Sequence, residues 1–169
     1  EQMEVHGIEP NVISYSAAIS ACEKGQQWEC ALRLLNQMEA RGVKPNAISY
    51  SAAISACGAG QQWECALWLL EQMEARGVGP DAISYCAAIS ACGAAQQWEH
   101  ALRLLEQMET RGLGPDLSSY TAAMHALVAA SQVEAAFGLL LRVQESRLAG
   151  QDLYPCYHVL LEACRQRGD

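Results

Sequence analysis

Apolar and polar positions follow a helical period in two consecutive segments near the start of the chain. In the first segment, roughly residues 13–22, Tyr15, Ile19 and Cys22 lie on one apolar stripe. The second segment, roughly residues 27–41, is apolar on one face and polar on the other. Its apolar face contains Trp28, Ala31, Leu32, Leu35 and Met38. The pattern predicts two successive α-helices.

Glycine and proline mark the turns on either side of the second helix. Gly25 is expected to permit a tight turn between the two helices. Gly42 stands where a glycine commonly ends a helix, and Pro45 prevents the helix from continuing. The predicted unit is therefore helix, turn, helix, turn.

This unit returns with a fixed period of 35 residues. Gapless copies occupy residues 12–46, 47–81 and 82–116; the first two share 28 of 35 residues, and the second and third share 29. A degenerate copy of about 37 residues follows at 117–153, and residues 154–169 match a first helix alone. Helical repeats of this length predict an all-α solenoid, whose stability comes from contacts between neighbouring copies.

The repeat resembles the pentatricopeptide repeat, a family of helical hairpins of this length. The resemblance rests on the following residues of the first copy and their counterparts: Ile13, Ser14, Tyr15, Gly25, Ala31, Leu32, Met38, Gly42, Pro45 and Asn46. The tetratricopeptide repeat differs, since its period is about 34 residues and its proline and aromatic positions are elsewhere. The resemblance covers nearly the whole chain and implies a right-handed superhelix of 35-residue helix-turn-helix repeats.

The first eleven residues match the end of a repeat, because residues 2–4 correspond to 37–39 and residues 10–11 to 45–46. We expect them to finish a preceding repeat, which makes the chain a fragment of a longer array. They lack the basic and apolar regions of a signal peptide, and no run of about 18 apolar residues predicts a membrane span. The resemblance implies a plastid or mitochondrial protein whose targeting peptide lies upstream.

Eight cysteines raise the question of a disulfide scaffold or a metal site. Six of them recur with the repeat at two positions. One position is the end of the first helix, and the other is in the second helix, where the third copy has His100 instead of cysteine. These are Cys22, Cys57, Cys92 and Cys164 in the first set and Cys30 and Cys65 in the second. Periodic cysteine on a packing face is typical of a small apolar residue in a reduced protein. Without a CxxC pair or four converging ligands, we expect no metal and no cofactor.

The chain is acidic, with 19 Asp and Glu against 11 Lys and Arg and a net charge of −8. Nucleic-acid binders usually carry a basic patch, because neutralising phosphates drives much of their affinity. Many of the acids fall on second helices, which the resemblance places on the outer surface. The net charge of the chain therefore overstates the negative charge of an inner groove, although the sequence predicts no positively charged groove.

In the family that the chain resembles, single-stranded RNA lies along the first helices with one base per repeat. The resemblance implies three base-reading positions in each copy: one apolar residue packs against the base, and two polar residues hydrogen-bond to its edge. The packing residues are Ile13, Ile48 and Ile83, with Ser118 a departure. The edge-binding pairs are Ser16 with Asn46, Ser51 with Asp81, Cys86 with Asp116, and Thr121 with Asp152.

The same resemblance implies adenine for Ser with Asn and guanine for Ser with Asp. Cys86 is a poor hydrogen-bonding residue, which makes its repeat a spacer. Lys24, at the end of the first helix, is the expected phosphate contact, but the later copies replace it with Ala59, Ala94 and Ala129. Stacking contributes roughly 1–3 kcal/mol per base, so this fragment is expected to bind RNA weakly after the costs of ordering. In the alternative interpretation, the serines only solvate a helix face.

Tryptophan occurs at two kinds of position. Trp28, Trp63 and Trp98 begin second helices, and the apolar stripe that they share favours packing between repeats over a stacking ladder for bases. Trp68 instead replaces an arginine of the other copies on the outer face. There it is either a chance substitution or a contact for a protein partner.

Two functions follow from these features. The first is sequence-selective binding of single-stranded RNA in organellar RNA processing, stability or translation. The second is a structural or accessory subunit that binds protein in an organellar ribosome or membrane complex, which the acidity and Trp68 favour. An enzyme is not expected, because no nucleophile–base pair, metal cluster or phosphate-binding glycine loop stands out from the repeat.

Overall fold

The computed structural model of the chain describes residues 10–146, 148 and 150–167, with side chains for all of these except 166 and 167. Residues 1–9, predicted to finish a preceding repeat, and residues 168–169 lie outside this description. The regular structure of the described residues is entirely helical, which confirms the predicted all-α solenoid. The helices are α1 (Val12–Lys24), α2 (Trp28–Ala40), α3 (Ala47–Ala59), α4 (Trp63–Ala75), α5 (Ala82–Ala94), α6 (Trp98–Thr110), α7 (Leu117–Ala129), α8 (Val133–Glu145) and α9 (Tyr154–Arg167).

Each of the first four odd-numbered helices begins at a capping side chain. The caps are Asn11, Asn46, Asp81 and Asp116. In α3, Asn46 Oδ1 accepts the backbone N–H of Ser49 at 3.0 Å, and the N–H of Asn46 donates to Ser49 Oγ at 3.5 Å. This reciprocal capping box satisfies two N–H groups at the start of the helix.

The turn inside each helical pair differs from the prediction. Gly25 has an ordinary φ of −88°, and the left-handed residue is Gln26, with a φ of 52°. A hydrogen bond from the N–H of Gln27 to the carbonyl oxygen of Cys22, 2.9 Å long, holds Gln26 in that conformation. The expectation that Gly25 supplies the turn is therefore wrong. Gly42, with a φ of 75°, does end the second helix as predicted.

The helices form two layers. Helices α1, α3, α5, α7 and α9 contact one another in order and form the first layer. Each of the other helices packs between the first-layer helix of its own pair and that of the next pair, and consecutive helices of this second layer have no close backbone approach within the described residues. A Cβ added to Gly58 would lie 3.1 Å from the Cβ of Ala91, so small residues permit the close first-layer contact. The stack therefore curves with the first layer inside.

Tyrosine and methionine side chains fill the space between the layers. Tyr50 and Tyr85 from the first layer and Met73 and Met108 from the second are almost completely buried. Because the first three repeats supply the same residues and the fourth supplies Tyr120 and Val143, the core continues from one junction to the next, as a solenoid requires.

Ion pairs join the outer edges of successive repeats. Tyr120 donates its hydroxyl hydrogen to Glu109 at 2.8 Å, and Arg142 donates to both carboxylate oxygens of Glu109. The same residue types meet at the two earlier junctions, as Glu39, Tyr50 and Arg76 and as Glu74, Tyr85 and Arg111. These groups are partly exposed, so each pair contributes roughly 0.2–1 kcal/mol.

Candidate nucleic-acid interface

A row of exposed isoleucines occupies the second position of three successive first-layer helices. Ile13, Ile48 and Ile83 are 74%, 65% and 68% exposed. Apolar side chains left in water at matched positions of a repeat indicate a binding surface rather than a packing defect. Ser118 takes this position in α7, so the isoleucine row ends there.

The first predicted polar pair is joined through a serine that the sequence interpretation did not assign. Ser16 Oγ lies 2.9 Å from Ser49 Oγ, and Ser49 donates its hydroxyl hydrogen to Asn46 Oδ1 at 3.0 Å. Since the hydrogen of Ser49 goes to Asn46, Ser16 donates to Ser49. A directed chain of hydrogen bonds thus runs from one repeat to the cap of the next.

The second junction brings the equivalent residues together. Ser51 Oγ lies 2.9 Å from Ser84 Oγ, and Ser84 donates to Asp81 Oδ1 at 2.7 Å. Ser51 donates its hydroxyl hydrogen to the carbonyl oxygen of Ala47 at 2.8 Å, one turn earlier in its own helix. The hydroxyl of Ser51 therefore has two protein partners.

At the third junction, cysteine takes the place of serine without breaking the network. Cys86 Sγ lies 2.7 Å from Ser119 Oγ and 3.4 Å from Asp116 Oδ1. Burial raises the pKa of Cys86 to about 11, despite the opposing effect of its hydrogen bond with Ser119. The thiol is therefore neutral near pH 7 and keeps a hydrogen to donate.

The fourth predicted pair lacks the hydrogen-bond link that joins the other three. Thr121 Oγ1 donates to the carbonyl oxygen of Leu117 at 2.7 Å and lies 3.5 Å from Cys156 Sγ. Asp152 Oδ1 instead accepts the N–H of Tyr154 at 3.0 Å, at the start of α9. Among the described residues, no hydrogen bond connects Asp152 to Thr121.

Burial separates the two members of each polar pair. Ser16 and Ser51 are 7% and 6% exposed, whereas Asn46 and Asp81 are half-buried and Asp116 is exposed. The buried serines are linked by hydrogen bonds to the caps, and the caps are the polar groups of each pair that reach solvent. The expectation was that both members of a pair hydrogen-bond to the base edge, and the buried serines differ from it.

The caps differ in the atom that they leave available. In each junction the network and the helix N-terminus engage Oδ1. No partner among the described residues reaches Nδ2 of Asn46 or Oδ2 of Asp81 and Asp116. Asn46 therefore presents an N–H donor, and the two aspartates present a carboxylate acceptor.

Hydrogen bonds keep the carboxylate of Asp116 ionised. Burial alone would raise the pKa of Asp116, but hydrogen bonds from the backbone and hydroxyl of Ser119 and from the Cys86 thiol hold it below its usual value. The acceptor at this junction is therefore negatively charged near neutral pH.

Charge is distributed unevenly between the layers. The first-layer helices α3 and α5 contain no charged residue, and α1 contains only Glu23 and Lys24. Lys24 is exposed in the last turn of α1, as are the alanines that replace it, Ala59, Ala94 and Ala129. The exposed glutamates lie mainly on second-layer helices. The inner layer is thus close to neutral despite the acidity of the chain.

Trp28 and Trp63, which begin second-layer helices, each contact the next repeat. Trp28 lies so close to Gly60 of the next repeat that an added Cβ would come within 2.4 Å of its ring. Trp63 contacts the ring of His100, with 4.9 Å between centroids. Trp68 is different, because it is 48% exposed on α4.

The described part of the chain contains neither a metal-ligand group nor a membrane-spanning helix. No three His, Cys, Asp or Glu side chains within it are grouped as metal ligands are. None of its helices combines the length and apolar character that crossing a bilayer requires.

Sequence profiles of repeat families match most of the chain. The profile of the PPR repeat family matches residues 10–59, and that of the PPR repeat matches residues 48–78. The profile of the pentacotripeptide-repeat region of PRORP matches residues 66–169, which is more than half of the chain. No curated protein matches the chain.

The fold is similar to solved pentatricopeptide repeat structures. PPR10 from maize is 26% identical, with a TM-score of 0.75 over 98% of this chain and 23% of that one. PPR10 in complex with an 18-nt psaJ RNA element is 17% identical, with a TM-score of 0.85 over 98% and 24%. The PPR domain of Arabidopsis thaliana protein-only RNase P 1 in complex with tRNA is 17% identical, with a TM-score of 0.77 over 97% and 86%. The chain therefore spans about a quarter of PPR10.

Proposed function

Because the chain belongs to the pentatricopeptide repeat family, we propose that it binds single-stranded RNA along its first layer, one base per repeat junction. One observation carries the proposal. Exposed isoleucines and caps that reach solvent recur at matched positions along three successive junctions. The chain is similar in fold to PPR10 and to the RNase P repeat domain, both of which were solved with RNA, and this similarity supports the proposal.

Each isoleucine supplies an apolar surface for the flat face of a base. A base that packs between Ile13 and Ile48, or between Ile48 and Ile83, removes both side chains from water. Transfer of this apolar area contributes to affinity without depending on base identity.

The free atom of each cap then selects the base edge. The Nδ2 donor of Asn46 complements the N1 acceptor of adenine, and the Oδ2 acceptor of Asp81 complements the N–H donors of guanine. We assign adenine to the first junction and guanine to the second. The third junction, expected from Cys86 to be a spacer, presents the same carboxylate through Asp116, and we assign it guanine as well.

Lys24 is proposed as the phosphate contact. Lys24 is the one Lys or Arg of helices α1, α3, α5 and α7, and the caps Asp81 and Asp116 add carboxylates beside them, so the affinity of this chain for RNA is weak and depends mainly on base contacts. Action on transcripts of a plastid or mitochondrion is part of the same proposal and follows from the family.

Selection from a pool of random single-stranded RNA tests the proposal, with a single-stranded DNA pool in parallel. We expect enrichment of a short purine motif in which adenine lies next to guanines. An unenriched pool at low salt would contradict it.

A matched pair of variants locates the binding surface. Ile48→Ser removes the central packing residue and is expected to weaken binding of the selected RNA roughly tenfold, since stacking contributes about 1–3 kcal/mol per base. The control is Leu141→Ser, which removes a similarly exposed apolar residue from α8. Equal losses for both variants would place RNA elsewhere on the surface.

A second function is favoured by Trp68, whose exposure on α4 suits a protein contact. We propose it as the alternative if the chain ignores RNA: an accessory subunit held by its outer layer. Trp68→Arg, which restores the arginine of the first and third copies, is then expected to release a copurifying protein, while Arg103→Ala is not.

A further inference from the structure

An exposed aromatic pair lies on α9, outside the three junctions to which bases are assigned. The side chain of Tyr154 is 63% exposed, and His158, one helical turn later, is exposed as well. Their ring centroids lie 5.8 Å apart, with an angle of 45° between the ring planes. Two neighbouring rings left in water on one face of a helix form a surface that a flat ligand can cover.

Helix α9 continues the first layer in the register of the earlier helices. Thr121 Oγ1 lies 3.5 Å from Cys156 Sγ, and Cys156 is the third residue of α9, as Ser49 is the third residue of α3. This contact therefore takes the place that the contact between Ser16 and Ser49 has at the first junction. The fourth junction is stacked in the same way as the others.

This register places the aromatic pair on the helix face that is directed toward the caps in earlier repeats. Tyr154 and His158 are the first and fifth residues of α9, where α3 has Ala47 and Ser51. In α3 these two residues share a face, because Ser51 donates to the carbonyl oxygen of Ala47. Ser51 also contacts the hydrogen-bond network that ends at the cap Asp81. The aromatic pair thus lies in line with the proposed RNA interface.

The fourth junction lacks the features that are proposed to recognise a base at the other three. Ser118 and Pro155 take the second helix position, where α1, α3 and α5 have isoleucine. Asp152 accepts the backbone N–H of Tyr154 at 3.0 Å, and no hydrogen bond among the described residues joins it to Thr121. Recognition of base edges therefore ends at the third junction, and the aromatic pair follows it along the layer.

We propose that Tyr154 and His158 form a stacking platform for a nucleobase of the RNA strand that extends past the third junction. The inference rests on the proposed function, since it requires RNA along the first layer. Every nucleobase has a flat π-face, so stacking on aromatic side chains binds RNA without selecting a base. The platform therefore adds affinity beyond the guanine of the third junction and adds no sequence preference.

The test compares two RNAs by fluorescence anisotropy with the unaltered chain. One contains the three bases assigned to the first three junctions, and the other adds a two-nucleotide tail on the guanine side. We expect the tail to tighten binding roughly tenfold, whichever bases it contains. A tail of two abasic nucleotides is the control, because it adds the same phosphates without rings, and it should leave the affinity nearly unchanged. A gain that the abasic tail reproduces, or one that depends on the identity of the added bases, would overturn the proposal.

Matched variants assign the gain to the platform. Tyr154→Ala is expected to remove most of the gain and to leave binding of the three-base RNA unchanged, whereas Tyr154→Phe keeps the ring and the gain. The control is Tyr157→Ala, which removes a neighbouring ring that is 42% exposed and whose hydroxyl accepts a hydrogen bond from Gln144 Nε2 at 2.6 Å. Persistence of the gain in Tyr154→Ala, or an equal loss in Tyr157→Ala, would contradict a platform at Tyr154 and His158.

The same titrations separate failure of the platform from failure of the proposed function. If the three-base RNA binds and the tail brings no gain, the platform alone is refuted. If neither RNA binds at low salt, recognition along the first layer fails, and the platform fails with it.

Discussion

The residue that caps each first-layer helix has a structural role and a proposed recognition role at once. One oxygen of Asn46 or Asp81 closes the helix N-terminus and receives the hydrogen-bond chain from the preceding repeat. That double engagement fixes the rotation of the side chain, which directs its second polar atom to solvent. A change from Asn to Asp therefore exchanges a donor for an acceptor at one defined point, while the fold is preserved.

Asp116 gives this arrangement a pH dependence. Its pKa is lower in the folded chain than in the unfolded chain. Its carboxylate therefore stabilises the fold fully above the unfolded pKa of about 4, and this contribution is lost as the pH falls below that value through the lower folded pKa. We expect Asp116→Asn to lower the free energy of unfolding near neutral pH and to lose this effect in acid, as measured by urea unfolding across pH. Glu134→Gln, an exposed change on α8, is the control. A pH-independent effect of Asp116→Asn would contradict the assignment.

At the scale of the helices, contacts between repeats determine which positions tolerate change. The ring of Trp28 covers the turn of the next repeat, where Gly60 leaves room for it. The third repeat has Ala95 at the place of Gly60, and the ring of Trp63 lies 4.9 Å from that of His100. Nearly identical sequences therefore differ in local packing at successive junctions.

Gly60→Ala tests the contact with Trp28. An added Cβ would lie 2.4 Å from the ring, and overpacking of this kind costs about 1–3 kcal/mol. In Gly25→Ala, the equivalent change in the first repeat, the nearest atom would be Gln27 Cγ at 3.4 Å, an ordinary contact. Urea denaturation of both variants should show a loss of stability for Gly60→Ala alone; equal losses would mean that the turn, not the tryptophan, is responsible.

The helices were predictable because their signals are local. The predicted helices at residues 13–22 and 27–41 agree closely with the observed helices Val12–Lys24 and Trp28–Ala40. The apolar period, the capping residues and Gly42 each determine the helix through residues only a few positions away in the chain. The turn was not predictable in detail, because the left-handed conformation at Gln26 is imposed by a hydrogen bond across it.

The candidate site was predictable only in part. Ile13, Ser16 and Asn46 were assigned from the family resemblance, but the role of Ser49 was missed. Its contact with Ser16 joins residues 33 positions apart and exists only once two repeats are stacked. The recurrence of serine at the third position of the helix, as in Ser84, was the available signal. Burial of Ser16 follows from the same stacking and has no local signature.

Across the whole molecule, the two layers divide packing, charge and proposed recognition. The helices of the inner layer are close to neutral and present the isoleucines and the caps, two of which are aspartates. The outer layer carries most of the acids and the inter-repeat ion pairs. This division reconciles a net charge of −8 with an RNA-binding proposal. It also limits the electrostatic part of the affinity.

The salt dependence of RNA binding tests this distribution of charge. With one phosphate contact, the slope of log affinity against log salt should be about −0.7. We expect Lys24→Gln to reduce the slope nearly to zero and Arg33→Gln, an exposed change on α2, to leave it unchanged. A slope of several units in the unaltered chain would show that phosphate contacts lie outside the inner layer. Titrations of the selected RNA at several salt concentrations provide the measurement.

The most direct measurement of the central claim exchanges the caps. Fluorescence anisotropy would compare short RNAs with adenine or guanine at each of the first two positions, for the unaltered chain, Asn46→Asp, Asp81→Asn and the double exchange. We predict that Asn46→Asp changes the preferred base at the first position from adenine to guanine, that Asp81→Asn does the reverse at the second, and that the double exchange inverts both, each by about tenfold. An unchanged base preference in all four proteins would contradict recognition by the caps.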